Sequence, residues 1–385
     1  MDLHCNNKFS SLQVHIQSRL LYNCHRAYPE RADLEWLESN PGMLFHTKTM
    51  LEDRRIMLEN KSCKSCHHGC YKYEDLGLPS QRLLGKSDAE EKITDPHAPL
   101  ETLQIMLSTD CNLACVYCGP EFSTRWQREL QQGEYALGED TIKNDKWSYL
   151  WSKMKQKDRS TETKFFALVL KEIKLAKGLK RIKVLGGEPL LSNQLVDLAE
   201  SVQDKSISLT IISGLGVSEE RLKSILTKTK GIDLQFEISV ESTGKFFEFI
   251  RYGSDWNDFK NKIEIIRNHG HNIEFISTMS NLCLFDFQNF YTEFADKGRI
   301  NISPVGMRPH MLPHVMDDLS KEKCKKHIEK ISDTKTRQVL YKMVDRKPNE
   351  NERKNCGSYL KQLSSRRNMK LAFLPDRFLT WCGAN

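Results

Sequence analysis

The 385-residue chain has no apolar run approaching the ~20 residues needed to span a bilayer. A helical membrane protein is therefore not expected. The opening MDLHCNNKF has no basic stretch leading into an apolar one, so no secretory leader is expected and the cytoplasm is the expected compartment. No low-complexity tract argues for disorder, and 39% hydrophobic residues suffice for a real core. The motifs that mark nucleic-acid-binding folds are missing. A net charge of +7, spread along the chain, permits an acidic partner without requiring one. Membrane and nucleic acid thus drop out as expected partners. The length exceeds an ordinary single domain and suits one barrel with appendages.

Cysteine is what the chain does have, with twelve residues unevenly placed. Six fall in two tight sets, Cys63/Cys66/Cys70 and Cys111/Cys115/Cys118. Clustering in a chain without an export signal points to metal binding rather than disulfides. The second set lies in Asp110-Cys-Asn-Leu-Ala-Cys-Val-Tyr-Cys118, a C-x3-C-x2-C run just after the apolar stretch Leu103 to Leu107, which reads as a strand. Three thiolates leave a cubic [4Fe–4S] cluster one ligand short. Open metal positions are where chemistry happens. Structural zinc is the alternative occupant.

Downstream, strands and helices alternate. Six strands start at Leu103, Ile182, Ser208, Leu234, Ile273 and Arg299, with helices over Thr163–Ala176, Gln194–Val202, Glu219–Leu226, Trp256–Asn268 and Phe285–Ala295. This predicts an α/β fold, a partial (β/α)6 barrel of parallel strands. Ligands of such arrays sit at the strands' C-terminal ends. The cysteine run, Gly186-Gly-Glu-Pro189, Ser213, Ser239 with Glu241, and Asn281 all fall there. Residues 119 to 160 read as a polar, Trp-rich, helix-bearing insertion. From Met307 the chain reads as polar and helical, with helices around Ser320–Ile331 and Lys335–Val344 and a charged linker over Lys347–Lys354.

C-x3-C-x2-C with Tyr117 before its last cysteine, followed by G-G-E-P after a strand, resembles the radical SAM superfamily. The resemblance implies that Cys111, Cys115 and Cys118 hold a [4Fe–4S] cluster whose open iron is chelated by S-adenosylmethionine (SAM). Reductive cleavage of SAM would give a 5′-deoxyadenosyl radical that takes a hydrogen from the substrate. It assigns the SAM amino group to Gly186, Gly187 and Glu188, and the SAM carboxylate to Ser239 and to Arg251 of the I-R-x-G-x-x-W segment. Tyr117, Ser213 and Glu241 complete the expected SAM contacts. Glu241 stands where aspartate is commoner in the family. No residue acting on the substrate is identified.

The first ~95 residues carry Cys5, a predicted hairpin of Leu12–Ile16 and Leu20–Tyr22, then Cys24, then Cys63/Cys66/Cys70, followed by E-x2-G-x2-S-x-R at Glu74, Gly77, Ser80 and Arg82. This resembles the twitch (shortened SPASM) module, which holds an auxiliary iron–sulfur cluster, expected to be [4Fe–4S]. Here the module precedes the barrel. Two departures are Arg19 in place of the family's turn glycine and the stretched spacing through His67-His-Gly-Cys70. Cys24, Cys63, Cys66 and Cys70 or Cys5 are the expected ligands, with His67 and His68 facing solvent. Cys283, Cys324, Cys356 and Cys382 are expected to be lone thiols.

The expected domains are an auxiliary-cluster domain over 1–95, the barrel over 96–310 and a helical cap over 311–385, whose end, Arg366 to Trp381, resembles the closing segment of the same group. The expected activity is oxidative modification, a crosslink or dehydrogenation, of a peptide or peptide-like substrate. A radical SAM dehydrogenase or epimerase of a small molecule, such as a sugar, aminocyclitol or nucleotide in natural-product biosynthesis, is the alternative. A non-catalytic iron–sulfur or zinc protein is a further alternative. A flavodoxin- or ferredoxin-type donor is the expected electron source.

Overall fold

The structure is a computed structural model that describes residues 2–75, 80–84, 91–137, 158–202, 206–306 and 308–385. Gly77, Trp147, Trp151 and Met307 lie outside the described residues. The chain forms two compact units. One comprises Met1–Thr109, Asp145–Ile211 and Thr227–Leu234, and the other Asp110–Asn144, Ile212–Leu226 and Gln235–Asn385.

In the first unit, alternation of Leu12, Val14 and Ile16 with polar residues gives strand β1 (Ser11–His15). A turn carries the chain into β2 (Leu20–Tyr22), antiparallel to β1, and on to the two-residue β3 (Glu30–Arg31). The predicted hairpin is therefore present. It does not stand apart, because β1 pairs in parallel with β4 (Thr102–Met106), Ser11 opposite Thr102 and His15 opposite Met106. β5 (Arg181–Leu185) and β6 (Ser208–Ser213) follow in parallel. Leu103, Ile105, Ile182 and Val184 are buried, as strands of a parallel sheet require. The helix Arg159–Leu175 begins at Asp158, whose side chain accepts from Ser160 N, and buries Phe165, Phe166, Val169 and Ile173.

The second unit holds β7 (Leu234–Ser239), β8 (Asn272–Met279) and β9 (Ile300–Pro304), all parallel. All six predicted strands of the parallel array are thus found. Two predicted boundaries are corrected. The helix expected from Phe285 starts at Asn281, because Ser280 Oγ accepts from Cys283 N and caps it four residues earlier. Asn281 is consequently a buried helical residue rather than a loop residue. The stretch Lys347–Lys354 is mostly helix, not linker. Asn349 and Glu352 cap each other's backbone, starting the helix Glu350–Arg367. Cys356, Tyr359, Leu360 and Leu363 are buried at helical spacing, and of its charges Arg367 is buried with them. A last helix, Asp376–Cys382, had no counterpart in the sequence reading. Among the described residues, no helix is long and apolar enough to cross a membrane.

Candidate functional site

The cysteine run lies in the second unit as a loop clamped through its own backbone. Ala114 N donates to Tyr252 O at 2.9 Å and Val116 N to Ile250 O at 2.8 Å. Three carbonyls are held by side chains from elsewhere. Trp126 Nε1 donates to Cys115 O at 2.9 Å, Tyr359 Oη to Val116 O at 2.6 Å, and Arg308 Nε and Nη2 to Cys118 O at 3.1 and 2.5 Å. Cys111, Leu113 and Cys115 pack together, with Tyr117 and Cys118 against them. Burial raises the Cys115 thiol, and burial together with Cys115 pushes Cys118 up to about 12. These groups are protonated thiols until a metal displaces the protons.

Tyr117 turns toward a buried ion pair. Arg251 Nη2 lies 2.7 Å from Glu241 Oε2, and both side chains are at most 5% exposed. The same Nη2 donates to Tyr117 Oη at 2.7 Å, and Tyr117 Oη donates to Glu241 Oε1 at 3.0 Å. Arg251 Nη1 stands 3.9 Å from Cys115 Sγ. Burial raises the Glu241 carboxyl despite Arg251, while the carboxylate holds the Arg251 guanidinium well above its ordinary value against burial. Arg251 Nε and the neighbouring Ser242 Oγ are buried without a hydrogen-bond partner. Orphaned buried donors are rare and call for a missing ligand. The backbone of this segment is held tightly too. Gly253 has φ +106°, and a Cβ there would meet Arg125 Nη1 at 2.2 Å and Asn112 O at 2.8 Å.

The other expected SAM contacts also stand at strand ends. Ser213 closes β6 and accepts from Leu215 N at 2.9 Å, and Ser239 closes β7 opposite Ile276. Gly186, Gly187 and Glu188 follow β5 in the first unit. Gly186 has φ +147°, and a Cβ there would lie 2.6 Å from Ser108 O, so only glycine fits. Gly187 N donates to Ser108 O at 2.9 Å. Glu188 is 1% exposed and caps the turn Pro189–Leu191 by accepting from Leu190 N at 3.2 Å. Contact thus unites Cys115, Tyr117, Glu241 and Arg251, whereas Gly186–Glu188 belong to the other unit.

The N-terminal cysteines gather in the first unit. Cys5, Cys63 and Cys66 share a buried cluster with Phe9, Met57, Tyr71 and Ala98. Burial, then Cys24 and Cys70, pushes the Cys5 thiol up to about 11, and Cys24 also acts on Cys66. Behind them lies Lys8, wholly buried, whose ammonium donates to Asn23 Oδ1 at 2.6 Å, Asp53 Oδ2 at 2.7 Å and Ser65 Oγ at 2.5 Å. Ser65 Oγ is 3.1 Å from Cys63 Sγ. Glu74, Ser80 and Arg82 form one network. Glu74 takes bonds from Ser80 Oγ and from the Arg82 fork, and Arg82 also reaches the Asp2 and His4 carbonyls beside Cys5. His67 is exposed, its Nε2 on Ser62 Oγ at 2.8 Å.

Residues 105–296 match the Radical SAM superfamily. The chain carries a radical SAM domain. Domains of this superfamily imply a [4Fe–4S] cluster and SAM. No curated protein matches the chain by sequence. Among solved structures it is similar to anSMEcpe with bound AdoMet and Kp18Cys peptide, at 12% identity and a TM-score of 0.35, covering 59% of each chain. It is also similar to Streptococcus suis SuiB bound to S-adenosylmethionine, at 14% identity and a TM-score of 0.32, covering 83% of this chain and 66% of that one. A third is TYW1 with a lysine–pyruvate adduct bound, at 18% identity and a TM-score of 0.31, covering 61% and 72%.

Among the described residues, no three His, Cys, Asp or Glu side chains already stand in position to hold a metal ion. The fit of the radical SAM groups rests on other grounds. Three buried or half-buried thiols share one clamped loop, and a buried guanidinium beside them has an orphaned donor. Trp126, Arg308, Tyr359 and Arg367 escaped the sequence reading. No local signal marks them, since Arg308 and Tyr359 act on the loop across 190 and 243 residues. Cys356 and Cys382 are not lone thiols but neighbours, Cys382 being the main cause that raises Cys356.

Proposed function

We propose that this protein is a radical SAM enzyme that cleaves SAM reductively and abstracts a substrate hydrogen for an oxidative modification of a peptide or peptide-like substrate. The observation that carries the SAM reading is the group of Tyr117, Glu241 and Arg251 packed on Cys115, with Arg251 Nε buried and unpartnered. Cys111, Cys115 and Cys118 would hold the cluster, and Arg251 would meet the SAM carboxylate. When bound, the cluster supplies the electron that cleaves SAM. Glu241 fixes the Arg251 fork, and Tyr117 offers a ring next to it.

The N-terminal cysteines support a second, auxiliary cluster of the twitch kind. Five thiols, a buried ammonium and the Glu74–Ser80–Arg82 network suit a thiolate-bound anionic group. A net oxidation needs a place for the substrate's electron, which is why the second cysteine set favours oxidation over a redox-neutral change. A reducing cytoplasm and a flavodoxin- or ferredoxin-type donor fit this chemistry.

The test is anaerobic reconstitution with iron and sulfide, followed by dithionite and SAM. Release of 5′-deoxyadenosine is expected, and its loss in the Cys111/Cys115/Cys118→Ala variant. No 5′-deoxyadenosine from the reconstituted wild type ends the enzyme reading. The triple variant should retain about four irons on the N-terminal set. If it retains none, the auxiliary cluster is wrong.

A further inference from the structure

Four guanidinium groups stand around the cysteine loop of the second unit, Arg125 on the Asn112 carbonyl at 2.8 Å, Arg251, Arg308 and Arg367, and their counter-charges are unequal. Arg251 is paired with Glu241 at 2.7 Å, and Arg367 with Glu129 at 3.1 Å. Arg125 and Arg308 have no carboxylate within ion-pair distance among the described residues, and of these two Arg308 is the one that bonds a cysteine carbonyl. It lies half-buried over the rings of Trp126 and Tyr359, 5.2 and 5.3 Å from their centroids, and spends Nε and Nη2 on the Cys118 carbonyl. Trp126 and Tyr359 are themselves wholly buried and hold the Cys115 and Val116 carbonyls. The unbalanced cation is therefore anchored on the third cysteine and backed by two rings that belong to the same clamp.

An uncompensated cation in a poorly hydrated setting is costly unless an anion is near. Glu121, half-buried and with its Oε2 lacking a hydrogen-bond partner, is an acid that feels the Arg308 charge. A cluster held by three thiolates brings negative charge to this place and gains more on reduction. A fixed positive charge stabilises the reduced form relative to the oxidised one. Arg308 lies beyond the matched residues 105–296, so this charge comes from outside the matched domain.

We propose that Arg308 is a positioning residue of the three-cysteine site, which orients Cys118 through its carbonyl and supplies an unpaired cation that raises the reduction potential of a cluster bound there. This rests on the reading that Cys111, Cys115 and Cys118 bind a cluster. Wild-type protein that shows no SAM-sensitive reduced-cluster signal would end that reading and leave Arg308 out of the question.

The test is a redox titration followed by the paramagnetic resonance signal that changes on adding SAM, with iron content measured alongside. Arg308→Gln should keep the cluster but shift the reduced-to-oxidised ratio at fixed potential about tenfold toward oxidised, ~59 mV for one electron. Arg308→Lys should stay within about threefold of wild type. Tyr359→Phe, which loses a loop bond but no charge, should leave the ratio unchanged. An Arg308→Gln protein with full iron and a wild-type potential overturns the proposal, as does an equal shift in Tyr359→Phe. Should Arg308→Gln fail to hold iron, Arg308→Lys decides. Recovery of both iron and potential supports the charge, and failure to recover iron overturns it in favour of a purely geometric need for the fork.

Discussion

Tyr359 donates a 2.6 Å hydrogen bond to the backbone carbonyl of Val116, between the second and third cysteines of the loop. The two residues are 243 positions apart, and Tyr359 is wholly buried. The helix Glu350–Arg367 is thus part of the loop's support. Tyr359→Phe removes the donor and leaves the ring, stranding a buried carbonyl. The expected loss is about 1–2 kcal/mol of stability, read as a lower denaturant midpoint with an unchanged slope. A variant as stable as wild type would mean the carbonyl is satisfied without Tyr359.

The Glu241–Arg251 pair is the most deeply buried charge in the second unit that touches the candidate site. Glu241→Ala leaves the guanidinium without its counter-charge. That change should cost about 3–5 kcal/mol, while replacing both partners with apolar residues should cost clearly less than the sum of the single changes. Equilibrium denaturation of the four proteins of the cycle checks this. Additive losses would show that the two side chains act independently despite their 2.7 Å separation.

The parts legible in the sequence are those written in local spacing. The two cysteine sets, the glycine turn after β5 and each parallel strand are visible because ligand spacing and apolar periodicity are short-range patterns. The Glu74–Ser80–Arg82 network was legible as a motif, though not as a device that grips the chain before Cys5. What stayed hidden was of two kinds. Charge at Lys347–Lys354 reports exposure, not conformation, so a capped helix looked like a linker. The side chains that clamp the cysteine loop are ordinary Trp, Arg and Tyr whose partners lie far away in sequence.

Arg19 occupies the left-handed region, with φ 53°, in the turn between β1 and β2. Its conformation is the one glycine adopts without cost, and its carbonyl is needed to accept from Ala32 N at 2.8 Å. Burial and the nearby Arg31 lower its pKa, with Asp158 acting in the opposite direction. Arg19→Gly should therefore raise stability by about 1 kcal/mol, seen as a higher Tm. A lower Tm would show that the arginine side chain does something the turn requires.

His310 is 2% exposed, its Nε2 has no hydrogen-bond partner, and its ring meets Tyr359 edge-on at 4.8 Å. Burial, then the charge of Arg308, lowers its pKa from 6.5 to about 3. In this window the unfolded chain binds a proton that the folded chain refuses. Stability is therefore complete above pH 6.5 and falls as the pH drops toward 3, by at most about 1.4 kcal/mol per pH unit from this residue. His310→Gln should flatten the dependence between pH 6.5 and 5. An unchanged slope would place the proton uptake elsewhere.

Lys8 links segments that no sequence motif connects. Its ammonium binds Asn23, next to Cys24, and Ser65, between Cys63 and Cys66, while Asp53 supplies the counter-charge with 11% of its side chain exposed. Asp53 Oδ2 also takes bonds from Asn23 Nδ2 at 3.1 Å and Ser65 Oγ at 2.6 Å. Burial works against the lysine's charge, but Cys66, Asp53 and Cys63 together raise its pKa, so the site is built to keep it cationic. Lys8→Met leaves Asp53 unpaired among two polar partners and should cost about 3–5 kcal/mol. Lys8→Met with Asp53→Leu should recover part of that loss, yet both variants should bind less iron at the N-terminal set, measured with Cys111, Cys115 and Cys118 replaced by alanine. Recovered stability with undiminished iron would show that the ammonium serves folding alone. Iron lost in both variants, despite recovered stability in the double one, would show that it holds the Cys24 and Cys63–Cys66 segments in register for the metal.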